Sequence, residues 1–242
     1  MAIMKEGNIS GAVGPTVFYT RYGNTYLRTK PSKLKRKRKH KPNKLQTIFG
    51  TVTRNGSMLL GVLKERVYFH FTLATYNAGR GWMRNQYAAG YEAEVWDIGA
   101  RPNDMCQLNP AADLRDILFC PVAVTDKGKG KISISIPTMD PMRDMKKLPG
   151  GTKAVNMKMV VLHNEFKGIS APYMHMEEYS FLYKAGILPA KEILLDTKAP
   201  AGHVAIVVLA LELENQPAVT SRYNKDLSWL PAAIIAMGRV KE

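Results

Sequence analysis

Acidic residues are missing from a long part of this sequence. No Asp or Glu occurs between Glu6 and Glu65, although the chain contains 20 of them against 35 Lys and Arg. Residues 21–54 carry twelve of the basic residues, and the rest of the chain has a net charge of only about +3. The formal charge of +15 is therefore a property of one segment rather than of the whole surface.

Long apolar runs are missing as well. The longest, residues 204–213, contains about ten residues with Glu212 among them, whereas a membrane-spanning helix needs about 20 apolar residues. The N-terminal residues MAIMKEGNISGAVGP have no apolar run behind a basic segment, so we expect no signal peptide. The sequence predicts a protein that has no membrane partner and is located in a virion or in the cytoplasm.

Cysteine is scarce, since Cys106 and Cys120 are the only two thiols in 242 residues. The two residues could pair with each other. A content this low is nevertheless more typical of a protein that stays in a reducing compartment.

Motifs that mark catalytic, cofactor or metal sites are absent from the sequence. In GNISGAVGPT, Pro15 follows Gly14 where a nucleotide phosphate loop needs Lys, so this segment indicates a structural turn. Among the histidines only His175 makes a local cluster with acidic residues, Glu177 and Glu178, and neither HExxH, CxxC nor a G-x-S-x-G elbow occurs. We predict no enzyme, no catalytic residue, no cofactor and no metal. An enzyme with a site around His175 is the less favoured alternative.

The sequence does contain a strongly basic segment, residues 33–44, which reads KLKRKRKHKPNK. We call it the basic arm. Like charges repel along such a run, so we expect it to stay extended until a polyanion neutralises it. Binding by counterion release would weaken steeply with salt and carry little base specificity. The predicted nucleic-acid-binding residues are Lys33, Lys35, Arg36, Lys37, Arg38, Lys39, Lys41 and Lys44. A solvated tail without a ligand is the alternative interpretation of this segment.

A β-hairpin is predicted before the arm. Residues 17–22 alternate in character, and Gly23-Asn24 offers a tight turn into residues 25–29. Tyr19, Tyr22 and Tyr26 suit such strands and could equally stack on bases.

Two helices are predicted after the arm. Asn43 can cap the first, and a second helix over residues 73–91 would form an antiparallel pair with it, up to a loop near residues 100–112. Gly50, Gly56 and Gly61 on the first helix suggest either the close approach of another backbone or a helix that is stable only when packed. The apolar stripe of the first helix comprises Leu45, Ile48, Phe49, Val52, Leu59, Leu60, Leu63 and Val67.

Short strands separated by Gly- and Pro-containing turns are predicted from about residue 115 onward. The expected strands cover residues 117–124, 131–136, 157–163, 178–183, 193–196, 203–213 and 232–240. This number of short strands favours an antiparallel β-sandwich of the immunoglobulin or fibronectin kind. The predicted class is α+β, with a Gly-rich β-hairpin in residues 1–31, a basic linker in 32–44, a helical hairpin in 45–100 and the β-sandwich in 115–242.

The N-terminal pattern also resembles a known family. GNISGAVGPTVFYTRYGNTYLRTKP, the basic linker and the helix opening KLQTIFGTVT are similar to proteins of Bacteroidota genomes and their phages or mobile elements, which carry a domain of unknown function. The resemblance covers about the first 65 residues, and the linker of this chain is more basic than the family pattern. It implies a Gly-rich hairpin, a helical middle, a C-terminal β-sandwich and an assembly-related protein without catalytic residues. The matching positions are Gly7, Gly11, Gly14, Gly23, Arg28 and Pro31.

These features together predict a non-enzymatic structural subunit of a phage particle, in a capsid, a tail or a similar assembly. Its arm would contact nucleic acid or neighbouring subunits. The expected partners are copies of the chain itself, other assembly subunits and the phosphate backbone of nucleic acid. The alternative is a cellular protein associated with nucleic acid, bound to ribosomes or to DNA.

Overall fold

The computed structural model describes nine segments of the chain. They are residues 2–5, 8–21, 24–30, 44–66, 72–93, 97–98, 105–166, 171–215 and 223–242. The chain forms two compact units, Met1–Pro42 and Asn43–Glu242, which we call unit 1 and unit 2. Among the described helices, none combines the length and the apolar character needed to cross a membrane.

Unit 1 contains a four-stranded antiparallel sheet in which each strand pairs with the next one along the chain. The strands are β1 (Ala2–Lys5), β2 (Asn8–Val13), β3 (Thr16–Arg21) and β4 (Asn24–Thr29). The predicted hairpin is confirmed as β3 and β4, whose register places Tyr19 opposite Tyr26. Residues 22–23 of its turn lie outside the described residues.

The sheet of unit 1 is larger than predicted, because the Gly-rich residues before the hairpin form β1 and β2. Gly14 and Pro15 make the turn between β2 and β3, and Gly14 has a φ of 56°, which an L side chain rarely adopts. The structural turn predicted in GNISGAVGPT is thus made by Gly14 and Pro15, whereas Asn8–Val13 of this segment form β2.

Unit 2 begins with two long helices, α1 (Lys44–Arg66) and α2 (Leu73–Ala93), which confirm the predicted helical pair. Asn43 and Val67 lie outside the described residues, as does the side chain of Leu45. The prediction for Phe49 is wrong, because this residue is 55% exposed. Around the helix axis Phe49 lies only about 20° from the buried Leu60, but it is about three turns nearer the start of α1, where this side of the stripe is no longer covered. The buried face consists of Ile48, Val52, Leu59, Leu60 and Leu63.

Glycines set the packing of α1 against α2, although not by the predicted backbone contact. A β-carbon at Gly56 would lie 2.9 Å from Cε of Met83, and one at Gly79 would lie 3.1 Å from Cδ1 of Leu60. The close neighbour is thus a side chain of the opposite helix in each case. At Gly50 a β-carbon would meet nothing within 4 Å, so no close contact requires a glycine at this position.

A five-stranded antiparallel sheet forms the centre of unit 2. Its strands, in spatial order, are β5 (Cys106–Gln107), β12 (Ala232–Arg239), β11 (Val204–Asn215), β8 (Thr152–Asn164) and β9 (Tyr173–Leu182). Both faces are covered, because Val160 and Leu162 join the cluster of α1 and α2 while Met157 and Met159 join a second cluster. Burial on both faces explains why residues 204–213 form a nearly continuous apolar run.

A three-stranded sheet lies on the second cluster, in the order β10 (Lys191–Asp196), β7 (Lys131–Ile136) and β6 (Ala123–Asp126). On the other side of the central sheet, Nδ2 of Asn164 on β8 donates a buried hydrogen bond of 3.0 Å to Oδ1 of Asn55 on α1. Unit 2 therefore has three layers, namely the helical pair, the five-stranded sheet and the three-stranded sheet. The class is α+β, and six of the seven predicted strands are confirmed by β7 to β12.

The prediction of a strand over residues 117–124 is wrong. A one-turn helix, α3 (Leu114–Ile117), occupies its start, and β6 begins only at Ala123. The Asp113 side chain caps α3 by accepting from the Arg115 amide, and Pro121 has no N–H to donate to a strand partner. Two further short helices, α4 (Pro141–Asp144) and a 3₁₀ turn (Leu227–Trp229), are capped in the same way by Asp140 and Asp226.

Candidate nucleic-acid interface

The basic arm meets the described structure only at its last residue. Lys44 is the first residue of α1, whereas the other seven predicted binding residues lie outside the described residues. These are Lys33, Lys35, Arg36, Lys37, Arg38, Lys39 and Lys41. The arm therefore continues directly into a helix of 23 residues.

The positive charge extends beyond the arm into both long helices. Residues 1–93 contain 17 Lys and Arg with only three acidic residues, whereas residues 94–242 contain 18 Lys and Arg with 17 acidic residues. Almost the whole net charge of +15 thus belongs to the first 93 residues. The two helices contribute to this excess of positive charge, because Glu65 is the only acidic residue of α1 and Glu92 is the only one of α2.

Six of the described basic residues of the strand-rich part form ion pairs with acids. Lys158 is the most buried of them, and its Nζ lies 2.7 Å from Oε1 of Glu212 and 3.8 Å from Oε1 of Glu178. By contrast, no ion pair involves the described cationic side chains of α1 and α2, which are Arg54, Lys64, Arg80 and Arg84. Further ion pairs of the strand-rich part are Arg115–Asp113, Lys127–Glu192, Arg143–Asp144, Lys153–Glu214 and Lys241–Asp97.

Two tyrosines and an arginine form an exposed cluster on the sheet of unit 1. The rings of Tyr19 and Tyr26 stack with centroids 5.6 Å apart and planes inclined by 22°, and each tyrosine is 41% exposed. The Arg28 guanidinium carbon lies 5.6 Å from the centroid of the Tyr19 ring. Such an aromatic pair with an attached cation can stack on a base and contact a phosphate. Tyr22, the third tyrosine that the sequence suggests, lies outside the described residues.

A groove lies between α1 and α2 in unit 2. Its volume is about 350 Å³, and its walls combine an aromatic ring with two guanidinium groups. Asn77 Oδ1 accepts a hydrogen bond of 2.5 Å from Nη2 of Arg80, which fixes the orientation of that guanidinium. The lining residues are Phe49, Thr53, Asn77, Arg80, Gly81 and Arg84. The groove was not predicted from the sequence, although two arginines four residues apart on α2 were a signal for it.

The acidic neighbours of His175 are divided between the two faces of β9. His175 lies 3.7 Å from Glu177, whereas Glu178 points to the opposite face, where it contacts Lys158 and accepts from Asn156 Nδ2 at 3.1 Å. In the described part of the chain, no three His, Cys, Asp or Glu side chains lie close enough to hold a metal ion together.

Cys106 and Cys120 do not form a disulfide in the structure. Burial, together with the negative charge of Asp144, raises the pKa of Cys120 to about 11. A thiol with this pKa is almost entirely protonated at neutral pH, which makes Cys120 a poor nucleophile.

A buried histidine pair is a second feature that the sequence did not indicate. Nδ1 of His163 and Nδ1 of His203 lie 3.1 Å apart, close to where β8 ends and β11 begins, and the His163 ring stacks on Tyr173 at 5.2 Å. Burial and the neighbouring His203 lower the pKa of His163 to about 4. The His163 ring is therefore neutral at physiological pH, and one imidazole N–H donates to the other ring.

Comparisons with protein-family models, with curated proteins and with solved structures give no match to this chain.

Proposed function

We propose that this protein is a non-enzymatic structural subunit of a macromolecular assembly, such as the capsid or tail of a phage, and that it contacts nucleic acid through its basic arm. The observation that carries the proposal is the unequal distribution of charge. The first 93 residues have 17 basic residues and three acidic ones, and the described cations on α1 and α2 have no acidic partner among the described residues. A surface of this kind attracts a polyanion from the surrounding solution.

The exposed cluster of unit 1 supports the same proposal. Tyr19, Tyr26 and Arg28 combine two stacked rings with a cation, which is the composition of a surface that binds single-stranded nucleic acid. The resemblance of about the first 65 residues to proteins of Bacteroidota genomes and their phages or mobile elements motivates the assembly part of the proposal. For the two sheets of unit 2, which share one apolar cluster, we propose a sandwich of the immunoglobulin or fibronectin kind.

The nucleic-acid part is tested by measuring the binding of a labelled single-stranded oligonucleotide to the full chain at several salt concentrations. For single strands, log K falls with log salt by about 0.7 for each phosphate that is neutralised. Replacing all eight basic residues of the arm by Gln should therefore reduce the slope by up to about 6. An unchanged slope would show that the arm is not the contact.

A charge-matched variant controls for the change in net charge. It replaces eight exposed lysines of the strand-rich part by Gln: Lys129, Lys131, Lys146, Lys147, Lys184, Lys191, Lys198 and Lys225. We expect this variant to keep most of the wild-type slope. If both variants lose the slope equally, the arm has no special role and only the total charge matters.

The assembly part is tested by the oligomeric state of the purified chain in sedimentation velocity, at moderate salt and without nucleic acid. A subunit of a capsid or tail should form a regular homo-oligomer, and a monomer at all concentrations would overturn the proposal. Sedimentation of the native protein with ribosomes, abolished by nuclease, would identify the alternative of a cellular nucleic-acid-associated protein.

A further inference from the structure

We propose that the groove between α1 and α2 is a binding site for single-stranded nucleic acid, in which Arg80 and Arg84 hold a phosphate and Phe49 stacks on a base. This inference rests on the proposed function, since it assigns a second contact to a protein whose arm binds nucleic acid. It concerns unit 2 alone, because all the residues involved belong to α1 and α2.

The cationic wall of the groove suits a phosphate. Arg80 and Arg84 are four residues apart on α2, so they lie on the same helix face about one turn apart. Each guanidinium has five N–H donors in a planar fork, and Asn77 engages only one nitrogen of Arg80. Neither arginine forms an ion pair with a described residue. The remaining donors can thus bind phosphate oxygens without displacing a carboxylate.

The aromatic wall of the groove suits a base. Phe49 is 55% exposed on α1 although its neighbours along the helix, Ile48 and Val52, are buried. Thr53, one turn further, adds a hydroxyl group to the same wall. Gly81 forms part of the lining, and a β-carbon there would meet no atom within 4 Å, so its lack of a side chain leaves the groove open. A volume of about 350 Å³ is at the lower end of the range for sites that bind small molecules, which suits one nucleotide unit.

The position of the groove relative to the arm favours a nucleic-acid strand, rather than an isolated nucleotide, as the ligand. Lys44, the last residue of the arm, precedes Phe49 by five residues on α1, which is about 7.5 Å along the helix axis. A nucleic-acid strand that is bound to the arm can therefore continue towards the groove. The acidic residues of the two helices lie further away, since Glu65 is 16 residues from Phe49 on α1 and Glu92 is eight residues from Arg84 on α2, about 24 Å and about 12 Å along the helix axes.

The experiment compares two probes of equal length on the full chain, oligo(dT) and an abasic deoxyribose-phosphate oligomer. Phe49→Ala should weaken binding of oligo(dT) by about 5- to 150-fold and leave binding of the abasic oligomer unchanged, because only the first probe has bases to stack. Arg80→Gln/Arg84→Gln should weaken the binding of both probes and reduce the salt slope by about 1.

Matched variants control for exposure and charge. Phe119→Ala removes a ring of nearly equal exposure, 56%, from a surface outside the groove. Arg54→Gln/Lys64→Gln removes two exposed cations from α1 that do not line the groove. We expect both controls to bind the two probes about as well as the wild type.

Gly81→Leu provides a test that leaves the charge unchanged. Leucine is a far better helix former than glycine, so this variant should fold with an equal or higher Tm while its side chain fills the groove. We expect it to lose affinity for both probes.

The outcomes separate the two proposals. If the wild-type chain binds neither probe, the proposed nucleic-acid function fails. If the wild type binds but Gly81→Leu and the arginine pair variant bind like their controls, the groove inference alone is overturned and the arm remains the contact.

Discussion

The helical pair and the strands of unit 2 differ in whether their cationic side chains are paired with acids. On the strands, Lys158 lies between Glu212 and Glu178, and the side chains of Lys158 and Glu212 are only 16% and 9% exposed. On the helices, Arg80 and Arg84 border an open groove and have no acidic partner in the described part of the chain. The buried charges of Lys158 and Glu212 stabilise the fold, whereas Arg80 and Arg84 can bind a ligand. Removing Lys158 should therefore affect folding, and removing the two arginines should affect binding.

Lys158→Met should produce the largest effect on stability. The substitution leaves Glu212 buried without its cation, and breaking a buried pair in this way typically costs about 3–5 kcal/mol. Arg84→Gln on α2 should change the free energy of unfolding by less than about 0.5 kcal/mol, because the residue is exposed and unpaired. Urea unfolding followed by circular dichroism measures both values.

The double variant Lys158→Met/Glu212→Leu sharpens this comparison. Removing both charges also removes the unpaired carboxylate, so we expect most of the lost stability to return. Equal costs for Lys158→Met and Arg84→Gln would contradict the division between structural and ligand-binding charges.

The same contrast explains which features the sequence could predict. The strands were predictable because KISISI alternates and residues 204–213 are apolar except for Glu212, and both patterns reflect burial along a single element. The partners of Lys158 were not predictable, since Glu178 and Glu212 reach it from two other strands and no local pattern records that register. The groove depends in the same way on the packing of α1 against α2. Phe49 was assigned to the buried stripe because helical spacing alone does not show where that stripe ends.

His163 should make the strands sensitive to acid, whereas no described histidine lies on α1 or α2. Its pKa is about 4 in the folded protein and has the ordinary value of 6.5 in the unfolded chain. Between these values the unfolded state binds a proton that the folded state does not bind, so the free energy of unfolding decreases as the pH falls from 6.5 to 4. The decrease should be about 3 kcal/mol, with no further contribution from this group below pH 4.

The contribution of His163 is isolated by subtracting the pH dependence of His163→Gln from that of the wild type, with urea unfolding at each pH. The subtraction is necessary because carboxylates such as Asp113, whose pKa is lowered by Arg115, also lose stabilising interactions in acid. His175→Gln is the matched control, since His175 also lies on a strand but its side chain is 38% exposed. Parallel curves for the wild type and His163→Gln would refute the assignment.

The smallest effect on stability is expected for alanine substitutions at two glycines of the helical pair. At Gly50 an added β-carbon meets no atom within 4 Å, so Gly50→Ala should raise the free energy of unfolding by up to about 1 kcal/mol through helix propensity alone. At Gly79 the β-carbon would lie 3.1 Å from Cδ1 of Leu60, which has to move within a packed interface, so Gly79→Ala should gain less or lose stability. Thermal unfolding of the two variants measures the difference. A larger gain for Gly79→Ala would mean that the interface of α1 and α2 is looser than its distances indicate, and that the groove beside it has no fixed shape with which to select a ligand.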